Sequence, residues 1–199
     1  MNRLHLTVAG HAVNRFCPLL EKGVGLTVRT GCTLRDLLCG QIGISDEYLD
    51  QRIQTLFLDA RPVDDVDKTI IYQGSTLALS SAMPGLLGAT MRKGGRYAAF
   101  RESISQPAGG PDTSQQSGKI TIKMFNMVAR EVGPRLLTTG VEVEGKDLYR
   151  IVEQLPQNLS ESIRAVRLND QVSKADMPAF QSLSKTRLFF TVTVHNEQS

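Results

Sequence analysis

The chain contains no tryptophan, its aromatic residues amount to 6% of the total, and it has three cysteines. The first two scarcities exclude a core built on large rings, so any core must be made from Leu, Val and Ile. Cys17, Cys32 and Cys39 are odd in number and lack CxxC spacing, which excludes a disulfide framework and a thiolate zinc site and fits reduced thiols. No apolar run approaches the ~20 residues needed to span a bilayer. The opening MNRLHLTVAGHAV alternates like a strand instead of running apolar like a secretory signal. A cytoplasmic protein with no membrane partner is expected. Charge of one sign is also missing: 23 basic and 20 acidic residues are interspersed to a net +3, without the dense Lys/Arg stripe of a phosphate-backbone binder. Nucleic acid is therefore not expected as the main partner.

What is present is a repeat. In the second half, KITIKMFNMV (119–128) alternates as a strand, Gly133–Pro134 suggests a turn, and LTTGVEVE (137–144) alternates again, which predicts a hairpin. From Lys146 the period becomes 3.6, with Leu148, Ile151, Val152 and Leu155 on one helical stripe that Pro156 ends. AVRL (165–168) leads to an Asn169–Asp170 turn, and RLFFTVTV (187–194) closes the set. The first half repeats the order. Leu4, Leu6 and Val8 begin a strand, and GLTVRT (25–30) gives a second; Thr33 and Asp36 have capping-box spacing before a stripe of Leu34, Leu37 and Leu38. QTLFL (54–58), a turn at 59–62, Ile70–Ile71 and TLAL (76–79) follow. LTVRTGCTLRDLL stands over VEVEGKDLYRIV, and FLDARPVDDVD over RLNDQVSKADM.

A hairpin, a crossing helix and two further strands make an α+β fold. Two tandem β-grasp domains (ββαββ, a mixed sheet with one helix across it) are expected at 1–82 and 119–199, joined by a connection at 83–118. In each, the first and last strands should form a central parallel pair. The run IKMFNMVAREVG, VEVEGKDLYRIVEQLP, IRAVRLNDQV and LFF resembles the small subunit of molybdopterin synthase and the related thiamine-pathway sulfur carrier, within the ubiquitin-like superfamily. The resemblance covers about 119–194, and more loosely 4–82. It implies a carrier whose C-terminal Gly-Gly is adenylated by an activating enzyme and converted to a thiocarboxylate. Here His195–Asn196 stands in the diglycine place, and Pro84–Gly85 stands in the corresponding place of the first half.

The connection holds seven Gly, three Pro and four Ser, a composition of turns and flexible linkers. Gly94–Gly95 within it is the candidate carrier terminus, should a protease cut after Gly95; Gly109–Gly110, before Pro111, reads as linker. MPGLLGATM (83–91) with Phe100 could cover a sheet edge or serve as a partner-binding arm, for which Leu86, Leu87 and Phe100 are the apolar candidates and Arg92, Lys93 and Arg96 the basic ones. Asp64, Asp65 and Asp67 lack the Gly and distal Glu of a calcium loop and read as a turn. His5, His11 and His195 have no ligand spacing, and no phosphate-binding loop or nucleophile–base pattern occurs, so no enzyme, metal or cofactor is expected. Two readings remain. The first is a non-catalytic ubiquitin-like module that binds a protein partner, with a second copy of the chain as one candidate. The second is a sulfur carrier or protein modifier in cofactor biosynthesis, activated at Gly95 by an adenylating enzyme; an RNA-binding regulatory module is a weaker third.

Overall fold

Short strands and short helices alternate along the chain, as the switching of the apolar period requires. The computed structural model describes residues 1–81, 88, 91–93, 116–155, 162–174 and 176–195. From the N-terminus come β1 (Asn2–Val8), a 3-10 segment (Gly10–Phe16), α1 (Pro18–Lys22), β2 (Val24–Thr30) and the short β3 (Cys32–Thr33). A π-helical turn (Asp36–Gln41) and α2 (Asp46–Gln51) follow, then β4 (Thr55–Leu58), β5 (Arg61–Pro62), β6 (Ile70–Ile71) and β7 (Thr76–Ser80). The second half contributes β8 (Gln116–Phe125), α3 (Asn126–Glu131), α4 (Gly133–Thr139), β9 (Val141–Glu144) and α5 (Gly145–Glu153). It ends with β10 (Ile163–Leu168), β11 (Gln171–Ser173), α6 (Met177–Leu183) and β12 (Arg187–Val194). The fold is mixed α+β, with parallel and antiparallel pairing together. Among the described residues no helix is long and apolar enough to cross a membrane.

The elements gather into two units, Met1–Val24 with Ala129–Ser199, and Gly25–Val128. In the first, the strands run β11-β10-β1-β12-β9. The inward residues of β1, Leu4, Leu6 and Val8, are fully buried, as are Leu188, Phe190 and Val192 of β12. Phe16 packs its ring 5.7 Å from that of Phe190, and Leu148 and Val152 of α5 complete one side of this core. In the second unit the order is β2-β8-β7-β4-β5. Here Ile122 and Met124 of β8 lie beside Leu77 and Leu79 of β7, and these residues are buried with Ile120, Leu37, Leu38 and Leu49. Thr33 precedes the π-helical turn and makes one of the two bonds of the expected capping box. Its hydroxyl accepts from the Asp36 N–H at 3.1 Å and donates to the Asp36 carboxylate at 2.8 Å.

The parallel pairs join strands from opposite halves of the sequence. β1 runs parallel to β12, with Leu6 opposite Val192, and β7 runs parallel to β8, with Leu77 opposite Ile122. The expectation that each half pairs its own first and last strands is therefore replaced by an exchange. The two β-turns make the equivalence of roles plain. Asp59–Ala60 and Asn169–Asp170 both hold two consecutive residues at positive φ, the backbone of a two-residue hairpin turn. Asp59 accepts from Thr76 N–H of β7 through its side chain at 2.7 Å, and Asn169 accepts from Arg3 N–H of β1 at 2.9 Å. β1 thus does for the β10–β11 hairpin what β7 does for β4–β5.

A second difference lies at 126–139, where the expected hairpin of 119–128 with 137–144 is absent. The alternating pattern stops at Phe125, and α3 and α4 occupy the interval before β9. Pro134 falls in the first turn of α4, where a helix has no use for the missing N–H, so Gly133–Pro134 starts a helix instead of turning a hairpin. Gly140 then ends α4 at φ 104°, as Gly23 ends α1 at φ 108°, and each is followed by the valine that opens the next strand. Only glycine enters this region without steric cost.

Candidate functional site

The outward face of the second unit carries a groove whose shape follows from residue size. On β7 the outward residues are small, Ala78 and Ser80. On the flanking strands they are large: Phe57 of β4 stands opposite Ala78, and Phe125 of β8 stands opposite Ser80. Two rings on either side of a small-residue strand leave a trough of about 500 Å³ lined by Thr55, Phe57, Ala78, Leu79, Ser80, Phe125 and Asn126. The Asn126 amide donates to the Ser80 hydroxyl at 2.9 Å. Among the described residues the lining holds no titratable side chain. Its walls come from both halves of the sequence, because Phe125 belongs to the exchanged strand β8.

On the same unit lies a charged knot. The Arg35 guanidinium is 2.6 Å from Asp46, 2.6 Å from Asp67 and 3.1 Å from Asp50. Hydrogen bonds from Arg35, and then from Cys39, hold the Asp46 carboxyl below the usual carboxylate range. A cation ringed by three carboxylates is already satisfied, which makes this a fastener between the π-helical turn, α2 and the 64–69 turn rather than a site for a ligand. All three thiols are held toward the protonated form. Burial first, and then Glu21, pushes Cys17 up to about 11; burial first, and then Asp46, does the same to Cys39; Cys32 is raised by burial as well.

The first unit has a polar cleft of about 270 Å³ on its outward face, lined by Arg3, Leu4, His5, Arg167, Asp170, Phe189 and Thr191. His5 stands opposite Thr191 on one side and Arg167 on the other. Its Nδ1 lies 2.8 Å from Thr191 Oγ1 and its Nε2 3.2 Å from Thr193 Oγ1, which pins the ring. The Arg3 guanidinium lies 5.2 Å above the Phe189 ring.

Of the connection's candidate residues, Leu86, Leu87, Gly94, Gly95, Arg96 and Phe100 lie outside the described residues. Arg92 is exposed. Lys93 is folded onto the second unit with its side chain only 15% exposed; its Nζ donates to Leu49 O at 3.0 Å and lies 3.9 Å from Asp50, and its N–H donates to Gln54 O. Burial lowers its pKa. The basic cluster read from the sequence is thus parted here, one cation outward and one packed. Among the described residues no group of His, Cys, Asp and Glu is placed to hold a metal ion. The trough and the cleft escaped the sequence reading because each is assembled by the exchanged strands. Set against known proteins, the chain matches no family model, no curated protein and no solved structure.

Proposed function

We propose that the protein is a non-catalytic, ubiquitin-like binding module that works as an intact chain and receives an apolar segment of a protein partner in the trough of the second unit. The observation that carries this reading is the trough itself: two phenylalanines over a floor of small and apolar residues, with no titratable group among the described residues of its lining. The central parallel pair in each unit and the helices packed against the sheets support a β-grasp-like design, with strands exchanged between the halves. The carrier reading, with Gly95 as reactive end, asks for release of the first half. That release would strip β1 from between β10 and β12 and leave β7 without β8, and it would remove one wall of the trough.

A photo-crosslinking residue at position 57, set against one at Lys185 in the first unit, tests the reading in the native cell. Adducts with a discrete protein from position 57 that vanish on Ala78→Glu, with Lys185 silent, are expected. Equal, diffuse labelling from both positions, or adducts indifferent to Ala78→Glu, would defeat the proposal. An intact mass ending at Gly95, or one heavier by a sulfur atom, would establish the carrier instead.

A further inference from the structure

The cleft of the first unit has a chemistry different from that of the trough. Arg3 on β1 and Arg167 on β10 both open onto it, and neither guanidinium has a hydrogen-bond or ion-pair partner among the described residues. They converge because of the register. His5 lies directly opposite Arg167, and Arg3 is two residues back along β1 on the same face, so the two arginines are diagonal neighbours, within reach of one ligand of a few ångströms. The Arg3 guanidinium rests over the Phe189 ring. The His5 ring is fixed by Thr191 and Thr193. His5 therefore has little motion to lose when a ligand arrives, and the ordering cost falls mainly on the exposed Arg167 side chain.

The geometry points to a site for a small phosphate monoester in this cleft. Two guanidiniums offer forked donors matched to the oxygens of a phosphate. Asp170, at the left-handed β10–β11 turn, brings the one carboxylate among the described residues of the lining. It repels a bare polyanion and accepts from a hydroxyl, so the class that fits carries a phosphate at one end and hydroxyls at the other, as a sugar phosphate does. A volume of about 270 Å³ suits a molecule of that size and not a folded macromolecule. The cleft uses no residue of the trough, so this inference does not depend on the partner-binding reading.

Amide chemical-shift mapping on the full chain tests it, with ribose 5-phosphate, inorganic phosphate and ribose as probes, on the native protein and on Arg167→Gln and Arg3→Gln. Ribose 5-phosphate should shift the amides around Arg3, His5, Arg167 and Thr191, more weakly as salt is raised. Each variant should bind about tenfold or more weakly with its fold unchanged by the same spectra. Ribose should leave the spectrum still, and inorganic phosphate should bind at the same amides but more weakly. Shifts that are absent, that fall elsewhere, that survive both substitutions, or that ribose alone reproduces would overturn the site. Where Arg3→Gln disturbs β1, Asp170→Asn is the second variant. It should tighten inorganic phosphate while narrowing the preference for ribose 5-phosphate over it, and an unchanged ratio would also overturn the assignment.

Discussion

Leu6→Ala is a sharp test of the strand exchange, because the two ways of threading the chain place its damage in different halves. Leu6 is fully buried on β1, between Val166 of β10 and Val192 of β12, both buried. Truncating a leucine in such a setting costs about 3–5 kcal/mol, transfer and cavity together. At ~1.4 kcal/mol per tenfold, amides that open with the damaged sheet should exchange at least about a hundredfold faster. Peptide-resolved hydrogen exchange should therefore show the largest loss of protection in 163–168 and 187–194, in the opposite half of the sequence, and a smaller loss in 55–58 and 76–80. The reciprocal change, Ile122→Ala on β8, should strike 76–80, since Ile122 faces Leu77. If Leu6→Ala instead loosened 76–80 while 187–194 kept its protection, β1 would be paired with its own half and the exchange would be wrong.

Other substitutions follow from close approaches and charge. A Cβ at Gly145 would overlap Leu183 O and sit 2.7 Å from Thr186 O, so Gly145→Ala must displace backbone and strain the Gly145 N–H bond to Thr186 O. A loss of about 2–4 kcal/mol is expected in thermal or denaturant melts, whereas Gly40→Ala, with open space around it, should be neutral or slightly stabilising; equal stability of the two variants would contradict the packing. Because Arg35 and Cys39 depress the Asp46 carboxyl in the folded chain, that contribution is present above the ordinary aspartate value of about 3.9 and is lost as pH falls through the depressed folded value. Arg35→Met should flatten the acid limb of a stability-against-pH profile, and an unchanged limb would show that the knot contributes nothing. With Cys17 and Cys39 pushed up to about 11, both should alkylate slowly at neutral pH, and Cys17, which is buried, should stay unlabelled until the chain is denatured; rapid labelling of Cys17 in the native protein would refute its burial.

Much of the local structure could be read from the sequence, because it is set by neighbours. RLFFTVTV forms β12 over the expected residues, the 3.6-residue stripe from Leu148 forms α5, and both two-residue turns fall where FLDARP and RLNDQV align. The helical pair at 126–139 was missed because apolar residues in NMVAREVGPRLL suit either period, and Gly133–Pro134 serves a turn or a helix start equally well. The N-terminal signal was there, in the likeness of PLLEKGV to PRLLTTGV, each a proline-led helix stopped by glycine before a valine. Pairing was not legible for a different reason. β1 and β8 carry the same inward pattern, so hydrophobicity alone cannot say which half each strand joins. The sites inherit that blindness: Phe57 and Phe125, or Arg3 and Arg167, become neighbours only through strand order.

The most direct test of the account is the native mass of a chain opened between its halves. A specific protease site inserted within 96–115 would be cut in the purified protein, and the product weighed under native and then denaturing conditions. An interlaced fold predicts one native species with the summed mass of both fragments, still binding in the trough, which parts only in denaturant. Two fragments that separate under native conditions, each folded and monomeric, would mean that each half pairs its own strands, and the intact-module reading would fall with the exchange.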